Sequence, residues 1–213
     1  MAVNKINSPY SAALTGCPFM FYEMNRCLPL LMDSKADELM KKEIDENKIL
    51  LINSLVSRKR FVAEFQRRYK AVPRAFWLWY VTLEERAQRF ALLYVVLKTY
   101  RLVFDFHFNV TLKKWKMAER FVTKEDLTME MNEIAANDEF VDSWSDSTKD
   151  RCVSQYLTFL RHSGMMDNKT NELYPLHFEP KDAEYYFQTG EEWFLEAALL
   201  FPYEINELKS QLL

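Results

Sequence analysis

An unbroken run of eight apolar side chains, Phe90 to Leu97, constrains the fold more than any other feature of this sequence. A membrane-spanning helix needs about 18 or more apolar residues, so the run is too short to cross a bilayer. Thr82 and Glu85 precede it with the spacing of a capping box, which is typical of a helix start. A helix that is apolar on every side lies buried among other helices. The run therefore predicts a mainly α protein with this helix at its centre.

Helical patterns recur on both sides of this run. One helix is expected to begin at Ser34, a second to extend from Ser57 to Val72, and a third to extend from Thr123 to about Ala136. A fourth begins at Ser147 and ends in a left-handed C-cap at Gly164. The last extends from Glu191 to Phe201 and is ended by Pro202. Residues 137–147 are polar and are expected to form a connection. The pattern predicts two small helical bundles joined by a connecting segment: an N-terminal bundle over residues 1–120 and an acidic helical domain over 121–213.

The net charge of −3 at pH 7 is unevenly distributed along the chain. Residues 58–120 contain 15 basic and 5 acidic side chains, a net +10, whereas residues 121–213 contain 7 basic and 19 acidic side chains, a net −12. Residues 1–57 contribute −1, from 6 basic and 7 acidic side chains. A basic middle region indicates an anionic partner for that region alone. The alternative is that the basic and acidic regions attract each other.

The basic side chains of the middle region fall into two clusters. On the helix from Ser57 to Val72, Phe61, Phe65 and Tyr69 share one arc, and the opposite arc is basic. Like charges on one face repel unless phosphates lie beside them, which favours a phosphate-binding surface for nucleic acid over the alternative of a solvated face. The predicted DNA contacts are Lys59, Arg60, Arg67, Arg68 and Lys70, followed by Lys113, Lys114, Lys116 and Arg120 around Trp115.

The segment from about residue 124 to Leu173 is compatible with a winged helix-turn-helix, in which Asp167 to Asn171 form the tip of the wing. The second helix of this unit has an apolar stripe and an opposite face that can hydrogen-bond base edges. The candidate base readers on that face are Arg151, Gln155 and Thr158. Because the region has a net charge of −12, a winged helix that contacts proteins instead of DNA is the alternative.

Recognisable catalytic, metal and cofactor patterns are missing from the sequence. Three glycines cannot form a phosphate-cradling loop, and the three cysteines and three histidines lack the close pairing of metal ligands. Glu46 and Lys48 match half of a nuclease motif, but at the end of a helix instead of on a strand. We therefore expect no enzymatic activity, no metal, no cofactor and no small-molecule substrate.

The cysteines and the N-terminal residues indicate a cytoplasmic protein. An odd number of cysteines without a CxxC pair is typical of a reducing compartment. The sequence from Leu14 to Cys17 is similar to a lipoprotein cleavage site, but polar residues interrupt the apolar stretch that an export signal needs. We expect the protein to remain in the cytoplasm without contacting a membrane.

Several stretches together resemble a known family. They are Leu51-Ile52-Asn53-Ser54 with Ser57-Arg58-Lys59-Arg60, Phe104-Asp105-Phe106-His107-Phe108 before Trp115, Val141-Asp142-Ser143-Trp144-Ser145, and Gly190-Glu191-Glu192-Trp193-Phe194-Leu195-Glu196-Ala197. In this order the chain, over nearly its whole length, resembles the BrxA family, a component of bacterial BREX (bacteriophage exclusion) defence systems.

The resemblance implies a helical, cytoplasmic protein that binds double-stranded DNA and accompanies other BREX proteins. It brings no catalytic motif, and the basic contacts named above come from the helix faces alone. The sequence thus predicts a non-catalytic DNA-binding component of phage defence. The alternative is a scaffold that docks other BREX proteins and binds nucleic acid, including RNA, only incidentally.

Overall fold

Helices account for most of residues 7–212, which are the part of the chain that the computed structural model describes. The α-helices are α1 (Phe21–Met32), α2 (Ala36–Glu46), α3 (Leu55–Lys70), α4 (Arg74–Tyr80), α5 (Glu85–Thr99), α6 (Arg101–Phe106), α7 (Lys113–Lys116), α8 (Lys124–Asn137), α9 (Glu139–Asp142), α10 (Asp146–Ser163), α11 (Pro180–Thr189), α12 (Trp193–Ala197) and α13 (Pro202–Ser210). A 3₁₀ turn, Ala12–Gly16, precedes α1, and a π-helical segment, His107–Leu112, joins α6 to α7. The prediction of a mainly α protein is confirmed.

Local capping explains where α8 begins and where α10 begins and ends. Thr123 and Asp126 exchange hydrogen bonds in a capping box at the start of α8. The hydroxyl of Ser145 accepts a hydrogen bond from the backbone N–H of Thr148 at the start of α10. At the other end Gly164 has a φ of 89°, a conformation that glycine adopts without steric cost. Both predicted helices are confirmed to within two residues at their ends.

Three predicted helix boundaries are wrong. Thr82 does not cap α5, since its hydroxyl donates to the carbonyl of Trp79 at the end of α4. Pro202 starts α13 instead of ending the last helix, because proline fits the first turn, where no intrahelical N–H bond is needed. Ser34 does not cap α2, which begins at Ala36. The predicted polar connection 137–147 also contains the short helix α9.

Helix α5 lies at the centre of the core, as predicted. Every residue from Phe90 to Leu97 is at most 6% exposed. Helices α3, α6 and α10 all pack against α5. Around Tyr94 the rings of Phe76, Tyr186 and Phe194 have their centroids 5.3–5.4 Å away, a distance at which aromatic rings attract each other.

The hydrophobic core crosses the predicted domain boundary near residue 120. Buried residues form one cluster that extends from Leu14 to Leu208. Helix α10, from the acidic part, packs on α5 and on the 3₁₀ turn Ala12–Gly16 of the other part. The division into residues 1–120 and 121–213 stays a prediction, and the two parts share one core.

Short antiparallel pairing brings together the segments before α8 and after α10. Phe121 pairs with Glu172, and Met166 pairs with Leu173. Between the paired residues the carboxylate of Asp167 accepts hydrogen bonds from the backbone N–H groups of Lys169 and Thr170. The segment after α10 therefore folds into a hairpin whose tip lies where the sequence placed it.

Within residues 7–212, no helix has both the length and the apolar character that crossing a bilayer requires.

Candidate nucleic-acid interface

The exposed face of α3 carries basic side chains and no exposed carboxylate. We call Lys59, Arg60, Arg67 and Lys70 on this face the α3 basic face. Within residues 7–212, Lys59, Arg60 and Lys70 form no ion pair, whereas Arg67 lies 3.1 Å from Glu64. A row of cations of this kind attracts polyanions because their mutual repulsion is relieved by a neighbouring phosphate. The structure thus displays together four of the residues that the sequence predicted.

Arg68, the fifth basic residue predicted on this helix, is fully buried. Its guanidinium donates hydrogen bonds to the carbonyls of Cys17, Pro18 and Phe19 at 3.0, 2.8 and 2.9 Å. It also donates to the Tyr100 hydroxyl at 3.2 Å. Arg68 lies between the basic and apolar arcs of the helix, where the segment before α1 covers it. It therefore serves the core and cannot contact a phosphate, contrary to the prediction.

A buried carboxylate supports the α3 basic face from beneath. Glu64 is 5% exposed and accepts a hydrogen bond from the Tyr100 hydroxyl at 2.7 Å. Burial raises the pKa of Tyr100, so the phenol keeps its proton and remains a donor. Glu64 also holds Arg67, which fixes one member of the face.

Gly16 allows Arg60 to lie across the 3₁₀ turn Ala12–Gly16. A Cβ atom on Gly16 would come within 2.8 Å of the Arg60 Cδ. The absence of a side chain at this position therefore makes room for the arginine stem. The same 3₁₀ turn packs on both α3 and α10.

The second basic cluster, Lys113, Lys114, Lys116 and Arg120, is largely held by the protein itself. Lys114 lies 2.7 Å from Asp126 and 3.1 Å from Glu119, and Lys116 pairs with Glu196. Burial lowers the pKa of Lys114, but the two carboxylates more than offset this and raise it overall. In this cluster, side chains of the basic region form ion pairs with carboxylates of the acidic region. Attraction between the two regions was the alternative to an anionic partner that the sequence left open.

The other two members of the second cluster are less constrained. Lys113 is exposed and forms no ion pair within residues 7–212. The Arg120 guanidinium lies 3.8 Å above the ring of Trp115, a cation–π contact. These two side chains remain available at the surface.

The three candidate base readers on α10 differ in what they present. Arg151 is exposed, whereas the Thr158 hydroxyl donates to the carbonyl of Ser154 within the helix. The Gln155 side chain is half-buried, and its Nε2 has no hydrogen-bond partner within residues 7–212. Asp146 lies in the first turn of this helix, where a carboxylate repels phosphates. Only Arg151 projects freely, so the structure does not display the three readers together.

The sequence analysis did not predict two features at the N-terminal end of α3. Arg58 donates to the carbonyls of Ile44 and Ile52 at 2.6 and 2.7 Å, so it braces the preceding loop instead of facing outward. Leu55 and Val56 are exposed at the N-terminal end of the α3 basic face, and Leu51 is exposed just before it. The exposure of Val56 has a signal in the sequence, because the 100° spacing places it within the arc of the basic residues.

The residues considered for metal or nuclease chemistry are engaged in contacts within the protein. Within residues 7–212, no three His, Cys, Asp or Glu side chains are arranged to hold a metal ion. Lys48 lies 2.9 Å from Glu46 in an ion pair. His107 is fully buried and hydrogen-bonds the Ala197 carbonyl, and burial lowers its pKa to about 4.

Comparison with known proteins places this fold in a family. The family model of BrxA matches residues 8–190. A protein named "BREX protein BrxA" from Bacillus cereus (strain H3081.97) is 26% identical over 161 residues, 75% of this chain and 80% of that protein. The crystal structure of an uncharacterized protein from Magnetospirillum magneticum shares the fold at a TM-score of 0.76 and 18% identity, over 89% of this chain and 97% of that one. Because the family model spans most of the sequence, the chain belongs to the BrxA family.

Proposed function

We propose that the protein is a non-catalytic, double-stranded DNA-binding component of a bacterial BREX phage-defence system. The observation that carries this proposal is the α3 basic face, which exposes four cations and no carboxylate. Membership of the BrxA family supports the place in a BREX system, where other BREX proteins are the expected partners. The protein works in the cytoplasm, without a membrane, a cofactor or a small-molecule substrate.

Phosphate contacts supply most of the affinity in this proposal. Each cation that neutralises a phosphate releases a condensed counterion, which favours binding at low salt. Contacts of this kind position a protein on a duplex without reading its sequence. Binding therefore depends strongly on salt and little on base sequence.

The acidic part contributes a winged helix-turn-helix. Its supporting features are the order of α8 and α10 and the hairpin that pairs Met166 with Leu173 and Phe121 with Glu172. A winged-helix reader normally lies on phosphates, but residues 121–213 have a net charge of −12. We therefore assign this unit mainly to protein contacts, with a small share in DNA affinity.

A second candidate function is a scaffold that docks other BREX proteins and binds nucleic acid, including RNA, only incidentally. The ion pairs of Lys114 and Lys116 favour it, because they remove part of the basic region from contact with an anionic partner. What remains for nucleic acid is then chiefly the α3 basic face.

A gel-shift experiment separates the two functions. The purified protein should shift a duplex DNA of about 30 base pairs at micromolar concentration and low salt, and should shift an RNA hairpin of equal length less. No shift with either nucleic acid would reject the DNA-binding function and favour the scaffold.

The non-catalytic part of the proposal has its own test. Supercoiled plasmid incubated with the protein and Mg²⁺, Mn²⁺ or ATP should remain intact on an agarose gel. Cleavage that needs metal and disappears in the Glu46→Ala variant would overturn it.

A further inference from the structure

Three exposed apolar side chains lie at the N-terminal end of α3 and in the loop before it, and we call them the apolar tip. Leu51, Leu55 and Val56 are 65%, 44% and 74% exposed. Lys59 and Arg60 follow Leu55 and Val56 by one helical turn. Val56 lies in the same arc of α3 as the basic side chains, and Leu55 lies beside that arc, so a ligand lying along the basic face also meets this apolar tip.

The loop that carries Leu51 is firmly held although its tip is exposed. The Glu43 carboxylate accepts hydrogen bonds from the backbone N–H groups of Ile49 and Leu50 at 2.7 and 2.8 Å. The Asn47 side chain accepts one from the Ile52 N–H at 2.8 Å. These bonds keep Leu51 at a φ of 56°, in the left-handed region that a leucine rarely adopts. Neither this conformation nor the exposed side chain contributes to the core, which indicates a role outside the fold.

Charge decides which ligand fits the apolar tip. The cations of α3 are free of exposed carboxylates on the same helix, and Glu46, the last residue of α2, is bound by Lys42 and Lys48. An apolar tip followed by unpaired cations matches a polyanion that also offers apolar surface. Duplex DNA combines both, with phosphates outside and stacked bases within its grooves.

We propose that Leu51, the exposed side chain that precedes Leu55 and Val56, enters the minor groove of the duplex as a wedge and kinks it. The inference rests on the proposed function, because the cations of α3 must hold the phosphates. Apolar atoms gain nothing beside a phosphate, whereas apolar wedges between base steps occur in proteins that bend DNA through the minor groove. That groove is about 6 Å wide, so it excludes a helix but admits the tip of a loop.

The test measures DNA bending separately from binding. A duplex of about 30 base pairs with a dye at each end reports its end-to-end distance by energy transfer. The wild-type protein should raise the transfer efficiency, since wedges kink a duplex by roughly 20–90°. Leu51→Asn removes the apolar side chain, and asparagine adopts the left-handed backbone conformation more readily than leucine does. This variant should abolish the change in transfer, weaken binding about tenfold and keep the salt dependence, because the basic side chains remain.

A matched control and a stability measurement complete the test. Leu78 on α4 is also an exposed leucine, at 52%, and Leu78→Asn should bend DNA like the wild type. The melting temperature of Leu51→Asn should equal or exceed that of the wild type, because a left-handed leucine is replaced by a residue that adopts this conformation more readily. A lower melting temperature would assign Leu51 to the fold and overturn the inference.

The remaining outcomes separate the wedge from the proposed function. Wild-type binding without bending, or unchanged bending by Leu51→Asn, would reject the wedge and leave DNA binding intact. No wild-type binding at low salt would reject both. If the Leu51→Asn variant bent DNA like the wild type but no longer bound a BREX protein, the apolar tip would be a protein-docking site and the wedge would be rejected.

Discussion

The α3 basic face and the second basic cluster contain the same number of cations, but they differ in how many of these cations are paired with carboxylates. On α3, Lys59, Arg60 and Lys70 have no carboxylate partner within residues 7–212, whereas Lys114 and Lys116 are tied to acidic side chains. Counting charges along the chain does not distinguish the two groups. A basic residue is available to a ligand only where the fold has not already neutralised it.

The two regions are also anchored by different chemistry. The buried side of α3 carries Arg68, whose guanidinium donates hydrogen bonds to three backbone carbonyls. Just before the second cluster lies His107, a neutral imidazole whose Nε2 donates to the Ala197 carbonyl at 2.7 Å and whose Nδ1 accepts from the Tyr156 hydroxyl at 3.0 Å. An arginine keeps its charge at every accessible pH, whereas a histidine does not. The regions should therefore respond differently to mutation, pH and salt.

The largest effect is expected from Arg68→Met. Removing the guanidinium leaves three carbonyls without a donor and takes a charge from beside buried Glu64, which should destabilise the protein by about 3–5 kcal/mol. Urea denaturation measures this loss. Lys70→Met, at the exposed end of the same helix, is the control and should cost less than about 0.5 kcal/mol. Equal losses in the two variants would contradict the assignment of Arg68 to the core.

Acid should weaken the His107 anchor. Its pKa is about 4 in the folded protein against an ordinary 6.5, so between these values the unfolded chain binds the proton and the folded chain does not. The stabilisation is complete above pH 6.5 and is lost as the pH falls toward 4. The part lost between pH 7 and pH 5 is about 2 kcal/mol. Urea denaturation at several pH values should show this slope, and His107→Gln should flatten it.

The control for this prediction is His177→Gln, which removes an exposed imidazole. As a substitution of an exposed side chain, it should change the free energy of unfolding at pH 7 by less than about 0.5 kcal/mol. If His107→Gln retains the full pH dependence, another group is responsible and the neutral anchor is wrong.

A matched pair of double variants tests the difference in available charge. Lys59→Ala with Lys70→Ala removes two unpaired lysines, whereas Lys114→Ala with Lys116→Ala removes two paired ones. Four contacts on α3 give a slope of log affinity against log salt of roughly −3.6, or a loss of about 100-fold between 50 and 200 mM salt. The first double variant should flatten this slope by about 1.8 and the second should hardly change it. Equal changes in fluorescence-anisotropy titrations would show that ion pairing does not decide the availability of these lysines.

The smallest effect is expected on α10. Arg151→Ala with Gln155→Ala should weaken duplex binding less than about threefold, because one exposed cation amid acidic residues adds about one phosphate contact at most. The same titrations measure it on duplexes of different sequence. If this pair abolished binding while the lysines of α3 had no effect, the winged helix would be the DNA reader and α3 a docking surface.

The sequence alone was sufficient for features that depend on neighbouring residues. The apolar run from Phe90 to Leu97 predicted the central helix, and Thr123, Ser147 and Gly164 indicated the ends of α8 and α10 to within two residues. Local hydrogen bonds and helical periodicity decide these features, and both can be read within a few residues. The family was also recognisable from short stretches in a fixed order.

Only the tertiary structure decided which charges remain free. Arg68 is buried because the segment 17–19, some 50 residues away, covers it, and Lys116 is neutralised by Glu196, 80 residues further on. Leu51 is exposed because Glu43, Asn47 and Arg58 hold its loop in a conformation that leucine alone would avoid. The available charge of a surface depends on contacts between distant parts of the chain, and helical periodicity describes only one element at a time.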